Sequence, residues 1–390
     1  MVSKDELKTL IEARTATRCV SLYMPTVRAG DETLQNPIRL KNMLRVAEER
    51  LVQSGLRGKE VRKLLDPAEH QVREGCFWEH PENGLALFCS PELLKIFFSP
   101  LCFEERVFVG NRFMVKPLIP LFSDGQPFYI LALSQNQVRL LKATCFHVEE
   151  VELEGVPKSL SEALALDDPD RELQAHVFQG VPTGGSRPTL MFHGNGGGTE
   201  DKEEKSELLY FFQKIDRGLR GILVESKSPL VLAGIEYQHS IYREANSYPH
   251  LVMQGIHVNP DRLSAEELHR WAWEIVQPIF DQEMEDAKAL YQQFMGEGAG
   301  RASQNVREIV PAAYYGRIGK LFLPVAQECW GNFSPDTGEV SLHPEDLPGP
   351  EDMDLLDFAA ASTFINDGQV YVLQPGQMPE PVAAAAVFRY

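Results

Sequence analysis

The chain has 390 residues with 38 Lys and Arg against 56 Asp and Glu, a formal net charge of −18, and 43% hydrophobic residues. That length predicts two or three domains with real cores, and 29 Gly with 26 Pro exclude a fibrous or broadly disordered chain. The acidic balance excludes nucleic-acid binding over the whole surface, because phosphate attraction is the main non-specific term.

The start, MVSKDELKTLIEARTATR, is charged and lacks the apolar run of a signal peptide. The longest apolar runs, such as Pro229 to Ile235, are strand-length, far short of the roughly 20 residues that span a bilayer. A cytoplasmic protein without membrane contact is expected. Six cysteines (19, 76, 89, 102, 145, 329) show no C-x-x-C spacing and sit mostly in apolar contexts, such as Pro100-Leu-Cys102-Phe103. They read as buried reduced thiols, and no metal or cofactor is implied.

In chain order, a helix and the strand Cys19–Met24 come first, the strand stopped by Pro25. Asn36-Pro37 reads as a helix cap followed by Pro at the first helical position. The helix then places Ile38, Leu44, Ala47 and Leu51 on one stripe, with basic residues on the other face. Arg39, Lys41, Arg45, Arg50, Arg57, Lys59, Arg62 and Lys63 concentrate positive charge here, opposed by Glu48, Glu49 and Glu60. Both a solvated helical face and an RNA contact fit that cluster. After a second helix, Gly84–Cys89, Arg106–Val109 and Phe113–Val115 read as strands. Residues 1–124 are an α/β domain, bounded by the turn-rich Ser123-Asp-Gly-Gln-Pro127.

Residues 125–297 begin with a hairpin, Phe128–Leu133 and Val138–Ala143, joined through Gln135-Asn136, and a third alternating strand from Cys145 to Leu153. Helices follow, with two apolar strands, Leu230–Ile235 and Leu251–Met253. The order β-β-β-α-β-α-β-α fits a ribonuclease-H-like sheet. Nuclease chemistry needs clustered carboxylates for divalent cations, and the first strand has none. A long helix from Ser264 to Phe294 carries Leu268, Trp271, Ile275, Ile279, Ala287, Leu290 and Phe294 as its apolar stripe. Glu297-Gly-Ala-Gly-Arg-Ala302 is a flexible joint. Residues 303–390 read as a helix (Asn305–Tyr314), a strand (Lys320–Val325), an extended stretch at Cys329-Trp330, a loop (Pro335–Pro350), a helix from Met353, and the strands Gln369–Leu373 and Ala384–Phe388. They make a small α/β/α sandwich.

Three stretches carry a resemblance. Cys19-Val-Ser-Leu-Tyr-Met-Pro-Thr-Val-Arg28 continues to Asn36-Pro-Ile-Arg-Leu-Lys-Asn-Met-Leu44. His193-Gly-Asn-Gly-Gly-Gly198 stands before Leu208, Tyr210 and Asp216. Leu355-Leu-Asp-Phe-Ala-Ala360 is followed by Gly368-Gln-Val-Tyr371 and Ala386-Val-Phe-Arg-Tyr390. Together they resemble the bacterial archaeo-eukaryotic release-factor family, its third subfamily, related to class 1 release factors and Pelota. The resemblance implies an amino-terminal domain that approaches the decoding site and a ribonuclease-H-like middle domain that mimics tRNA. A carboxy-terminal sandwich would bind protein partners, a translational GTPase among them. The relatives carry a Gly-Gly-Gln loop that positions water on the peptidyl-tRNA ester; here Gly198 stands where the glutamine would be.

Glycines 194, 196, 197 and 198 permit positive φ and close backbone approach, Thr199 can cap a helix, and Glu200 and Asp201 suit its first turn. Asp201–Lys205 reads as an i,i+4 pair, and Leu208, Phe212, Ile215 and Leu219 as the core face. A phosphate cradle is disfavoured by the acidic pair and by the missing Gly-Lys-Ser/Thr. Catalysis would rest on His193 and the backbone N–H groups of Gly196, Gly197 and Gly198. A non-catalytic probe of the ribosome or tRNA needs only the loop. The reading preferred is ribosome or tRNA binding, in rescue or stress, with Arg39, Lys41 and Arg45 touching RNA. The rivals are peptidyl-tRNA hydrolysis through the same loop and a protein-interaction scaffold that touches no RNA. His239 reads as scaffold, and Tyr237 and Tyr242 as packed side chains.

Overall fold

Ser3 and Glu6 close a capping box, with the Glu6 N–H donating to Ser3 Oγ (3.1 Å) and the Ser3 N–H to Glu6 Oε2 (3.0 Å), and so start α1 (Lys4–Glu12). The computed structural model describes residues 2–13, 18–73, 75–79, 81–123, 127–165, 200–223, 226–298, 300–343 and 352–390. The chain packs as two units, Met1–Asp124 with Met284–Tyr390, and Gly125–Glu283. No described helix is long and apolar enough to cross a membrane.

In the first unit, β1 (Cys19–Pro25) is flanked by antiparallel β2 (Gly84–Cys89) and β4 (Arg106–Gly110), and β3 (Leu94–Ser99) pairs outside β2. α2 (Gln35–Gln53) and α3 (Gly58–Arg73) cover one face, with Leu40, Met43, Leu44, Ala47 and Leu51 packed on Val20, Leu22 and Leu87. Ile38, expected on that stripe, is 52% exposed. Asn36 is not the cap: it lies inside α2, and its amide accepts from the Val27 N–H (3.0 Å) and donates to Val27 O (2.9 Å), pinning the preceding loop. Phe113–Val115 is not a strand. The Met114 N–H donates to Ser21 Oγ (2.9 Å) and Tyr23 OH to Met114 O (2.6 Å), side-chain bonds in place of a ladder. Short α4 (Pro120–Ser123) follows. Cys19 and Cys89 are buried, as expected, but Cys102 is exposed.

In the second unit β5 (Phe128–Leu133), β6 (Val138–Ala143) and β7 (Val148–Val151) are antiparallel, whereas β8 (Leu230–Gly234) and β9 (Ile256–His257) run parallel to β5. The strand order is β7-β6-β5-β8-β9. Side chains alternate between its faces. Leu131, Leu133, Leu140 and Leu232 meet α6 (Glu200–Leu223) and α7 (Glu236–Ala245), while Phe128, Ile130, Ala132 and Val231 meet α8 (Ala265–Glu297). Short α5 (Leu160–Ala165) packs on α6. On α6, Leu208, Phe211, Phe212, Ile215 and Leu219 are each no more than 1% exposed. Each large side chain so buried contributes about 1.5–3 kcal/mol. Two expectations shift. Leu251 makes only an isolated bridge to Leu230, so Ile256-His257 supplies the fifth strand. On α8 the buried residues are Leu268, Ala272 and Val276, one position along from Trp271 and Ile275, and Trp271 is 37% exposed.

From Met284 onward α8 belongs to the first unit, where Ala287, Tyr291 and Phe294 pack on Phe322, Tyr371 and Val387. The sheet beneath has the order β10 (Ala302–Ser303), β16 (Ala385–Phe388), β11 (Ile318–Pro324), β15 (Gln369–Leu373), with β11 and β15 parallel. α9 (Val306–Tyr314) and α10 (Leu355–Ile365) pack on each other, and α10 on β11 and β15, which gives helix, sheet and helix layers. A second sheet, β12 (Trp330–Phe333) between β13 (Val340–Leu342) and β14 (Met353–Asp354), replaces part of the expected loop. Gly331 is required there, because a Cβ would lie 2.1 Å from Ser341 O.

Candidate functional site

His193, Gly194, Gly196, Gly197 and Gly198 lie outside the described residues, as does Thr199. The elements on either side are described, and both are tied to the β5–β6 turn. Gln135 O accepts from the Leu160 N–H at the start of α5 (2.9 Å). The Gln135 Nε2 amide donates to Glu204 on α6 (3.3 Å) and to Tyr237 OH on α7 (3.1 Å). Tyr237 is therefore a bridge, 45% exposed, and only Tyr242 is packed as expected, fully buried. Further down α6, buried Asp216 accepts from the Ser247 N–H (2.8 Å) and Oγ–H (2.7 Å), and Lys205 pairs with Glu244 (3.2 Å). α6 is a fixed post. Glu204, in its first turns, is bonded to Gln135 at the carboxyl end of β5, the end at which open parallel sheets place their sites.

At that same end His239, 2% exposed, holds Gly234 O through Nε2 (3.0 Å) and stacks on His257 with centroids 4.5 Å apart. Burial, and then the neighbouring His257, hold its pKa below the ordinary imidazole value. It is scaffold rather than general base: its ring fixes β9 to β8. A Cβ on Gly255 would come within 2.4 Å of His239 Cε1 and 2.9 Å of Leu232 O. Gly255→Ala is accordingly expected to cost about 1–3 kcal/mol through overpacking, seen as a lowered Tm.

The three candidate RNA contacts separate into two kinds. Arg39 is committed to the fold: Nε pairs with Glu105 (2.8 Å), Nη1 donates to Pro25 O (3.1 Å), and the side chain is 30% exposed. Arg45 is open at 78%, with an i,i+4 partner in Glu49 (3.3 Å), and Lys41 is exposed. Exposed pairs of that kind hold their charges weakly and leave both accessible. Leu34, Ile38 and Val52 are exposed on the same helix or at its start.

No local sequence pattern flags a further constellation. Lys116 and Asp354 form an ion pair (3.2 Å) with side chains 2% and 0% exposed. Asp354 Oδ1 also accepts from the Cys329 and Leu356 N–H groups (3.0 Å each), capping α10. One turn on, Asp357 Oδ1 accepts from the Val115 (2.6 Å) and Lys116 (2.5 Å) N–H groups. Burial, with Asp354 close by, pushes the Asp357 carboxyl up to about 7, against the pull of those two bonds. Nearby, Glu328 pairs with Arg106 (3.0 Å), and burial raises its pKa too. The one sequence signal is charge set in apolar runs, Val115-Lys116-Pro117 and Asp354-Leu-Leu-Asp357-Phe. The partners lie more than two hundred positions apart, so periodicity and spacing do not join them.

Residues 127–317 match the profile of Bacterial archaeo-eukaryotic release factor family 3. This segment belongs to that family. The span covers the five-stranded sheet, α6 and the His193–Gly198 segment. No curated protein matches the chain. Among solved structures, the archaeal translation termination factor aRF1 aligns at 16% identity over 100% of this chain and 99% of its own, with a TM-score of 0.24. A model of ribosome-bound archaeal Pelota and ABCE1 aligns at 11% identity over 100% and 94%, TM-score 0.40. Dom34 of S. cerevisiae, a termination-like factor interacting with Hbs1, aligns at 11% over 74% of each chain, TM-score 0.35.

Proposed function

We propose that this chain acts in translation termination or ribosome rescue in the cytoplasm, binding the ribosome where tRNA binds, with His193–Gly198 as the tip of a tRNA-mimicking middle domain. The observation that carries the proposal is the family match over residues 127–317, which takes in that tip and the helix behind it. The burial of one face of α6 and its bonds to α7 and to Ser247 support it, since a probe needs a rigid mount. Glycines offer a narrow backbone to a crowded RNA site. With Gly198 in the glutamine's place, binding requires no chemistry of the loop, and a protein partner such as a translational GTPase would sit on the carboxy-terminal segment.

Lys41 and Arg45 are the RNA-touching residues of this proposal, and Arg39 supports the helix that presents them. The chain is expected to co-sediment with ribosomes at low salt. Lys41→Glu with Arg45→Glu should weaken this and flatten the dependence of log K on log salt by about one unit for each phosphate no longer neutralised. Sedimentation wholly in the free fraction would refute the proposal. Labelled peptide retained on stalled complexes in the presence of bound protein is the further expectation; its release would replace probing with hydrolysis.

A further inference from the structure

β4 closes one edge of the first unit's antiparallel sheet. In such a ladder a residue's N–H and C=O point to one side, and its neighbours' to the other. Arg50 donates from its guanidinium to Val107 O, so Val107 turns its backbone groups away from β1, and Val109, two residues on, does the same. The Val107 N–H and both Val109 groups have no strand partner among the described residues. This edge does not face open solvent. It walls a cleft of about 990 Å³ that Ala326, Gln327, Glu328, Trp330 and Asp352 also line.

The charges of the cleft are unevenly spent. Arg106 is balanced by Glu104 (2.8 Å) and Glu328 (3.0 Å), and Glu105 by Arg39 (2.8 Å). Arg18 and Arg50, both lining the cleft, bond neutral acceptors, Asn111 Oδ1 (2.7 Å) and Val107 O. Two guanidinium charges thus stand beside an open strand edge, and the remaining carboxylate of the cleft, Asp352, is engaged by Asn332 Nδ2 (2.8 Å) and His343 Nδ1 (2.8 Å). The half-buried ring of Trp330 lines the same cleft, and its indole N–H donates to Glu328 (3.2 Å).

We propose that this edge binds an extended acidic peptide segment of a partner protein, added as a strand alongside β4. A strand edge demands alternating donors and acceptors about 7 Å apart on one side, which a peptide backbone supplies and a nucleic-acid strand does not. The two arginines select carboxylates on the incoming strand. Arg50 yields Val107 O to a peptide N–H and turns to a carboxylate, and an apolar side chain of the peptide lies against Trp330. The inference does not depend on ribosome binding.

The test uses the full chain and three labelled decapeptides in which valine alternates with glutamate, serine or lysine. The glutamate peptide should bind about tenfold more tightly than the lysine peptide and slow amide exchange at Val107 and Val109. N-methylation of its alternate amides should abolish both effects, and Arg18→Glu with Arg50→Glu should reverse the charge preference. The exchange measurement on the unaltered protein needs no variant to fold. Unchanged exchange at Val107 and Val109 with every peptide overturns the proposal. So does equal binding of all three, or slowed exchange at the same amides by an oligouridylate instead.

Discussion

Asp354→Ala is expected to remove about 3–5 kcal/mol from the unit that joins the chain's two ends, the usual consequence of leaving a buried charge without its partner. The Lys116 ammonium, 2% exposed, would lose a carboxylate 3.2 Å away. The Cys329 N–H and the first turn of α10 would lose their acceptor in the same step, at about 1 kcal/mol for the cap. Lys116→Met alone should be similarly damaging, since it strands Asp354 at 0% exposure. Lys116→Met with Asp354→Asn should cost clearly less than the sum of the single changes, because the amide keeps both N–H bonds and no charge is left behind. Urea unfolding measures all of this, with a shift in midpoint at constant m. A single variant within about 1 kcal/mol of the parent would show that water reaches the pair.

Asp357 governs how the same unit responds to pH. Its carboxyl titrates at about 7 in the folded chain, raised from the ordinary aspartate range chiefly by burial. Between that range and 7 the unfolded chain has released a proton that the folded chain retains. The folded state binds more protons, so stability is complete at the acid end of the window and falls as pH rises towards 7. The slope is about 1.4 kcal/mol per pH unit at most, and it levels off above the folded-state value. Asp357→Asn keeps an oxygen for the Val115 and Lys116 N–H groups and removes the titration. The difference in Tm between parent and variant should shift by several degrees in the variant's favour from about pH 4 to about pH 7. Parallel profiles would mean that Asp357 is ionised throughout that range. His239 works in the opposite sense, its lowered pKa costing stability as pH falls below the ordinary imidazole value.

What the sequence discloses follows from the range of the forces involved. The hairpin at Gln135-Asn136 and the Leu208–Leu219 face of α6 are readable because alternation and helical period are local and both elements have one wet side. The α8 stripe reads one residue out of place because Trp271 outweighs Ala272 in apparent hydrophobicity, although the small residue is the one that lets helix and sheet close up. Asn36 reads as a cap because its type and the following Pro fit one, yet its amide serves the Val27 backbone. Arg39, Lys41 and Arg45 look equivalent in the sequence. Glu105, brought in beside β4, and the carbonyl of Pro25 set Arg39 apart. Lys116, Asp354 and Asp357 owe their character to burial contributed by the other end of the chain.

That last arrangement bears on how the protein is made. Val115 and Lys116 are synthesised 242 and 241 residues ahead of the carboxylate that receives their N–H groups. During translation the first 124 residues emerge with an ammonium meant for an interior that does not yet exist, and they must wait while Gly125–Glu283 is produced. The later-made unit, whose strands and helices all lie within one stretch, can close first. Synthesis past Asp357 is then what allows Val115 and Lys116 to lock, so truncation before Asp354 should leave the leading segment more open to proteolysis and chaperones.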